Sequence, residues 1–357
     1  MSPIAGFVRL RKHQFGRQAD FGTKVEATRA YPFSGTPSVD LGWTDPEVDV
    51  GSVDPMAAPY RGAIDATASL TAPALAYNDL PLMLSGIFGG AVAPAPGAPP
   101  FQEWTHEPAS TTVDSIDAFT YEFGDDVTTD WFQLGDGILE SLEFAGPEGL
   151  GPLTASMSWR FGSVASSGST DSPDSPAVPT AGLSVATDDT IVYLKDCTLS
   201  IADTVAGLGA GVVTDALHSF SLKIAQEVDQ KRFANGTKSF DVSAYGRTGR
   251  SIELECTFAK TADTVGIGSE SDAWMSDTTV PRIIQFLFSS TDTPYGWTVT
   301  MPMRYYTRSE GEIGGNTTVV LTAHAYWDPD VNLDSIFQSA LINELTEAEL
   351  GLAGSGS

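Results

Sequence analysis

The chain has 357 residues, 41% of them hydrophobic, and carries 46 acidic against 19 basic side chains for a net charge of −27. That length leaves room for two domains with arms, and the hydrophobic share suffices for real cores. A body this acidic repels phosphates, which excludes tight nucleic-acid binding but not DNA passing alongside.

The acids are mostly Asp, 29 against 17 Glu, and Lys is scarce. Such a surface suits strong brine, where at about 1 M salt the screening length falls to ~3 Å and self-repulsion fades; an acidic mesophilic protein is the plainer alternative. Gly at 35 and Pro at 22 supply many turns, as an all-β chain needs. Cys197 and Cys256 make neither a disulfide framework nor a zinc site. Both fall in strand-like segments, where a small buried thiol is the commoner state. The first residues lack the apolar core of a signal peptide, and no run is long enough to span a membrane, so a cytoplasmic site of synthesis is expected.

Residues 1–30 are locally basic, with Arg9, Arg11, Lys12, Arg17, Lys24 and Arg29 against Asp20 and Glu26. A basic arm on an acidic body invites an acidic neighbour, another copy of the chain included. Residues 32–62 read as an extended hairpin or long loop carrying Asp45, Glu47, Asp49 and Asp54. Residues 63–70 alternate as a half-buried strand does. Asn78-Asp79 then reads as the cap of a short helix, Leu80–Phe88, with Pro81 in its first turn and Gly89-Gly90 as its stop. Strands follow at 118–123, 138–144 and 153–161, the last with Leu153, Ala155, Met157, Trp159 and Phe161 on one face. Residues 163–180, SVASSGSTDSPDSPAVPT, bury too little apolar surface to offset ordering entropy and read as a linker.

Beyond the linker the pattern returns. Short strands are expected within 190–201 and at 219–226. Residues 230–250 form a second long hairpin or loop, this time basic, with Lys231, Arg232, Lys238, Arg247 and Arg250. A strand is expected at 252–258, and 280–288 reads as a second Pro-started helix, with a buried strand as the alternative because the run is β-branched and aromatic. Strands at 296–301, 304–307 and 317–327 complete the set, and 333–345 reads as a C-terminal helix before a Gly/Ser-rich end. Laid over each other, the halves share an order: charged loop, alternating strand, short helix, three strands. The leading loop is acidic in the first half and basic in the second.

Chemistry is thinly represented. His13, His106, His218 and His324 have no partners at ligand spacing. Gly207 to Gly211 resembles a phosphate loop only superficially, since no βαβ context surrounds it. Asp125-Asp126, Glu140 and Glu143 single out no glycosidase pair. Asp328, Asp330, Asn332 and Asp334 alternate like calcium ligands but lack the Gly and Glu of a calcium loop, so a polar turn is the better reading. Neither a catalytic site nor a cofactor is expected.

The layout resembles the tail tube proteins of long-tailed viruses of bacteria and archaea. The likeness rests on Phe21-Gly22-Thr23 followed by Ala27-Thr28, on residues 137–144 followed by a turn and 153–162, and on a helix between strands in each half. It implies a mainly β chain of two tandem β-sandwich or barrel units of the tube type, each with one short helix, joined by a Ser/Pro-rich linker. The units would span residues 1–162 and 183–330, with the linker at 163–182 and a C-terminal helix and disordered tail at 331–357. It further implies self-assembly into stacked rings, as trimers with pseudo-six-fold symmetry or as hexamers, around a channel through which DNA passes. Tape measure, tail terminator and baseplate proteins would be the partners, and the virion tail the location, after assembly in the host cytoplasm. The charged loops and the arm residues Arg9, Arg11 and Lys12 are the expected contacts between copies. A carbohydrate-binding β-sandwich remains an alternative and would need an exposed aromatic platform, for which Tyr305, Tyr306 and Trp327 are the candidates, as does another structural surface protein.

Overall fold

The computed structural model describes residues 11–19, 21–40, 42–44, 60–61, 65–89, 95–96, 100–108, 116–125, 130–149, 151–166, 182–186, 189–213, 216–229, 246–260, 282–290, 294–327, 333 and 335–350. Strands dominate. The first half runs β1 (Arg11–Gln18), β2 (Arg29–Tyr31), β3 (Ser34–Asp40), β4 (Trp43–Thr44), β5 (Tyr60–Arg61), β6 (Asp65–Ala72), α1 (Leu80–Phe88), β7 (Ala95–Pro96), β8 (Gln102–His106), β9 (Ala118–Asp125), β10 (Asp130–Gly146), β11 (Thr154–Phe161) and β12 (Ser163–Ser166). The second runs β13 (Cys197–Ala202), β14 (Val212–Val213), β15 (Leu217–Asp229), β16 (Gly246–Ala259), β17 (Arg282–Ser289), β18 (Gly296–Ile313), β19 (Asn316–Ala325), β20 (Gln338–Asn343) and the helical turn α2 (Glu347–Leu350).

Strand order repeats between the halves. In the first, antiparallel ladders join β1–β9, β9–β10, β10–β11, β11–β6 and β6–β3. In the second, the corresponding ladders join β13–β17, β17–β18, β18–β19, β19–β16 and β16–β15. The short strands β2 and β14 flank β1 and β13 in the same way. Each long strand, β10 or β18, makes a bulge against its hairpin partner, between Leu139 and Ser141 in one and between Tyr305 and Thr307 in the other.

The halves join through backbone. Residues 141–146 of β10 pair with 220–225 of β15, from Ser141↔Ala225 to Gly146↔Phe220. The result is one continuous antiparallel sheet of eight strands, in the order β3-β6-β11-β10-β15-β16-β19-β18. One face packs inward. Leu142, Phe144, Leu222, Ile224, Ile252 and Leu254 are buried there, and Phe144 meets Trp297 edge-on at 5.0 Å. Gly146 is required at the junction, because a Cβ there would lie 2.5 Å from the Phe220 ring.

Helix α1 forms where the sequence places it, and all nine of its residues are buried. A helix apolar all round belongs in a core, and this one packs against β10, β8 and β15. Its expected caps act elsewhere: the Asp79 carboxylate accepts from Ala76 N at 3.2 Å and Asn78 donates to Asp189 at 2.6 Å.

Three expectations are corrected. The expected second helix is strand β17, in which Ile284, Phe286 and Phe288 are buried at every second position. The expected C-terminal helix is strand β20, inserted between β18 and β8. Phe337, Leu341 and Leu345 are four apart, which suits a helix but is also two strand periods, and Ser339 and Asn343 between them are buried too. The first four linker residues are β12, paired with β10 from Gly135↔Ser163 to Phe132↔Ser166; residues 167–181 lie outside the described residues.

Because the apolar side of the β10–β15 junction serves both halves, Phe144→Ala is expected to lower unfolding free energy by ~3–5 kcal/mol. Denaturant titration followed by Trp fluorescence should show one transition shifted as a whole. Separate transitions for the halves, or no shift, would contradict the shared core.

Candidate functional site

Two antiparallel ladders flank the charged stretches in sequence. The β4–β5 ladder ends at Thr44↔Tyr60 and the β15–β16 ladder at Asp229↔Gly246. Asp45, Glu47, Asp49, Asp54, Lys231, Arg232 and Lys238 therefore fall beyond these ladders, outside the described residues, as do Arg9 and the candidate ion ligands Asp328, Asp330, Asn332 and Asp334. Arg247 lies on β16 opposite Val228.

Three of the expected contact residues act within the chain. Arg250 donates to the carbonyl of Phe88 at 3.4 Å and lies 5.7 Å from the Phe88 ring centre, which puts a cation at the C-terminus of α1. Lys12 donates to Gly182 O at 3.3 Å and so ties β1 to the far end of the linker. Arg11 is exposed at the start of β1, with its guanidinium 5.4 Å from the Phe123 ring centre.

The other face of the eight-stranded sheet is uncovered over a broad area. Thr67, Ser69 and Thr71 on β6, Ser156 and Ser158 on β11, Ser141 and Glu143 on β10, Ser221 and Lys223 on β15, and Glu253 and Glu255 on β16 are all half-buried or exposed. A shallow depression of about 330 Å³ lies over β6, β11, β10 and β15. Lys223 stands directly opposite Glu143 on one neighbour and Glu253 on the other. Ser221 donates to Glu143 at 2.8 Å, and Arg160 meets Glu140 at 2.7 Å. One cation between two carboxylates leaves this hydroxyl-rich surface net negative, in keeping with the acidic chain. The alternation of β15 marks Lys223 as outward in the sequence; its neighbours depend on long-range pairing that the sequence does not display.

Buried polar groups cluster around the arm and the start of α1. Arg29 pairs with Asp189 at 2.7 Å and with Glu349 at 3.6 Å. Asn78 bonds the other Asp189 oxygen. Asp79, wholly buried beside them, has its pKa raised to about 7, chiefly by desolvation and then by Asp189, against the opposing Ala76 N–H and Arg29. Under β1, Glu122 accepts from Gln14 at 3.2 Å and Gln133 at 3.0 Å, and burial raises its pKa.

Two of the four histidines, His13 and His106, are buried. His13 bonds the Tyr121 hydroxyl at 2.8 Å and His106 lies 3.3 Å from Ser85 Oγ; burial lowers both to about 4, so both are neutral at pH 7. Cys256 is buried and Cys197 half-buried, both as free thiols, with the Cys197 thiol pushed up to about 12. Tyr306 and Trp327 are exposed, and the Tyr306 and His324 rings meet in a T-shape at 4.4 Å.

The raised Asp79 pKa fixes a sign. The folded chain holds this proton more tightly than the unfolded chain, so the group's contribution favours folding below about pH 4 and is lost as pH rises through about 7. Asp79→Asn should remove that fall and leave the variant more stable than wild type at pH 8. Thermal melts from pH 5 to 8 that run parallel for both proteins would contradict it.

A family model described as phage tail tube protein matches residues 11–327. No curated protein matches the chain. Among solved structures, a chain from the virion of a native gene transfer agent particle is 15% identical, with a TM-score of 0.26 over 38% of this chain and 95% of the other. A chain from the tail of an empty gene transfer agent particle with C6 symmetry is 14% identical, with the same score and coverage. On the match across residues 11–327, the chain belongs to the phage tail tube protein family and is a structural component of a virion tail.

Proposed function

We propose that this chain assembles into closed rings that stack into a hollow tail tube, with the hydroxyl-rich face of the eight-stranded sheet turned to the channel. The observation that carries this reading is the repeated strand order. Two like sets of strands already lie side by side in one sheet, with one face packed and the other uncovered. We take the sets as two units of one kind, so a ring of three copies would have pseudo-six-fold symmetry.

Geometry favours three over two. With strands about 4.8 Å apart and tilted about 40°, two copies would enclose a ring about 32 Å across and three about 48 Å. Only the larger leaves clearance for a hydrated duplex about 20 Å wide inside a layer of side chains.

The channel face suits transit. Ser and Thr hydroxyls, with Lys223 held between Glu143 and Glu253, offer phosphates no cluster of cations and hence little counterion release. The acidic loop at 45–54 and the basic loop at 231–238 would guide rings together. The excess of Asp over Lys suits a saline host, in which self-repulsion is screened. Assembly would take place in the host cytoplasm, and tape measure, terminator and baseplate proteins would meet the tube at its interior and ends.

Negative-stain microscopy of the purified protein is expected to show rings or hollow tubes; monodisperse single copies at high protein concentration would contradict the reading. Reversing Lys231, Arg232 and Lys238 to Glu is expected to stop tube growth while leaving rings intact, and tubes of normal length from that variant would refute the guiding role of the loops.

A further inference from the structure

We propose that the ring closes by pairing the outer edge of β3 in one copy with residues 307–312 of β18 in the next, in the register the chain uses at its own β10–β15 junction. This rests on the tube reading and names the strands that join the copies.

Two bulges mark matching positions in the long strands. Leu139 and Ser141 in β10 flank one, and Tyr305 and Thr307 in β18 flank the other. Before its bulge each long strand pairs with the strand preceding it, β9 or β17. After the bulge each keeps its hairpin partner, β11 or β19. The strands differ at one place. Past its bulge β10 gains β15 on its second edge, whereas among the described residues no strand pairs with that edge of β18.

The complementary edge is at the other end of the sheet. β3 holds in the first set the place that β15 holds in the second, since Pro37 faces Ala68 as Leu222 faces Leu254. Among the described residues β3 pairs only with β6. The sheet thus ends in the two edges that meet at its centre. Long unpaired edges are a liability unless covered or closed, and these two are exposed: Thr36, Ser38 and Asp40 on one, Thr307, Ser309 and Gly311 on the other.

Counting both strands from the bulges transfers the register. Ser141↔Ala225 becomes Thr307 opposite Asp40, Glu143↔Lys223 becomes Ser309 opposite Ser38, and Ala145↔Ser221 becomes Gly311 opposite Thr36. The packed side changes character. Leu142 and Phe144 are replaced by Arg308 and Glu310, and Leu222 and Phe220 by Pro37 and Gly35, while Ile224 alone is replaced by another branched apolar residue, Val39. Backbone ladders therefore supply the join, with at most one N–H fewer at Pro37, and little apolar surface is displayed before assembly. The junction inside a chain is built to be permanent and the one between chains to form from soluble copies.

The test is oxidative cross-linking of assembled particles carrying Ser38→Cys and Ser309→Cys, read on a non-reducing gel. Facing strand positions lie within disulfide reach, so covalent oligomers up to a closed ring are expected, with none from either single variant. Ser34→Cys with Ser309→Cys moves the partner four residues, about 13 Å, along the strand and should give none. Intact rings in which the first pair stays monomeric on the gel, or in which both pairs cross-link equally, would overturn the register and leave the tube reading standing. Failure of the protein to form rings or tubes at all would overturn both.

Discussion

The backbone ladder between β10 and β15 is the interaction on which the rest depends. Its six residue pairs join two sets of strands that would otherwise be separate sheets. Hydrogen bonding is indifferent to side chains, so two sequences with little identity can still present matching edges. Side chains then make the join durable within the chain. Leu142, Phe144, Phe220, Leu222 and Ile224 are buried across it, and at about 25 cal/mol per Å² each large side chain adds roughly 1.5–3 kcal/mol.

Around that ladder the elements without counterparts in the other half act as fasteners. Helix α1 fills the space behind the junction, where Arg250 from the second half caps its last turn. Strand β8 from the first half reaches the far sheet by pairing with β20, which itself extends β18. The arm is held by Arg29, which binds Asp189 after the linker and Glu349 near the C-terminus. On either side of residues 167–181 the described chain is tied down, by β12 before them and by Gly182 and Leu183 after them, which contact Lys12 and Gln14.

Much of this was legible in the sequence. The strict alternation of residues 153–161 marked β11, and Pro81 with the glycines after Phe88 marked α1. The hairpin-or-loop reading of residues 32–62 and 230–250 meets described ladders only at β3–β6, β4–β5 and β15–β16, and the charged residues between them lie outside the described residues. The misreadings share a cause. In residues 281–288 and 333–345 the apolar spacings fit either period, and what decided them was a vacant sheet edge supplied by distant residues. Asp79 looked like a helix cap, but burial and Asp189 give it another role. The exposed face was only half visible: Ser221 and Lys223 read as outward from period two, whereas the placement of Lys223 between Glu143 and Glu253 depends on strands 80 and 30 residues away.

The central claim is that the chain's internal junction is the pattern for its assembly and that the uncovered face lines a channel. A cryo-electron microscopy reconstruction of assembled particles at side-chain resolution tests it most directly. The account predicts an unbroken ring of antiparallel strands with Lys223, Glu143 and Glu253 facing the lumen, and with the contact between copies superposing on the β10–β15 contact within each. A ring that turns this face outward, or whose copies touch only through loops, would contradict it.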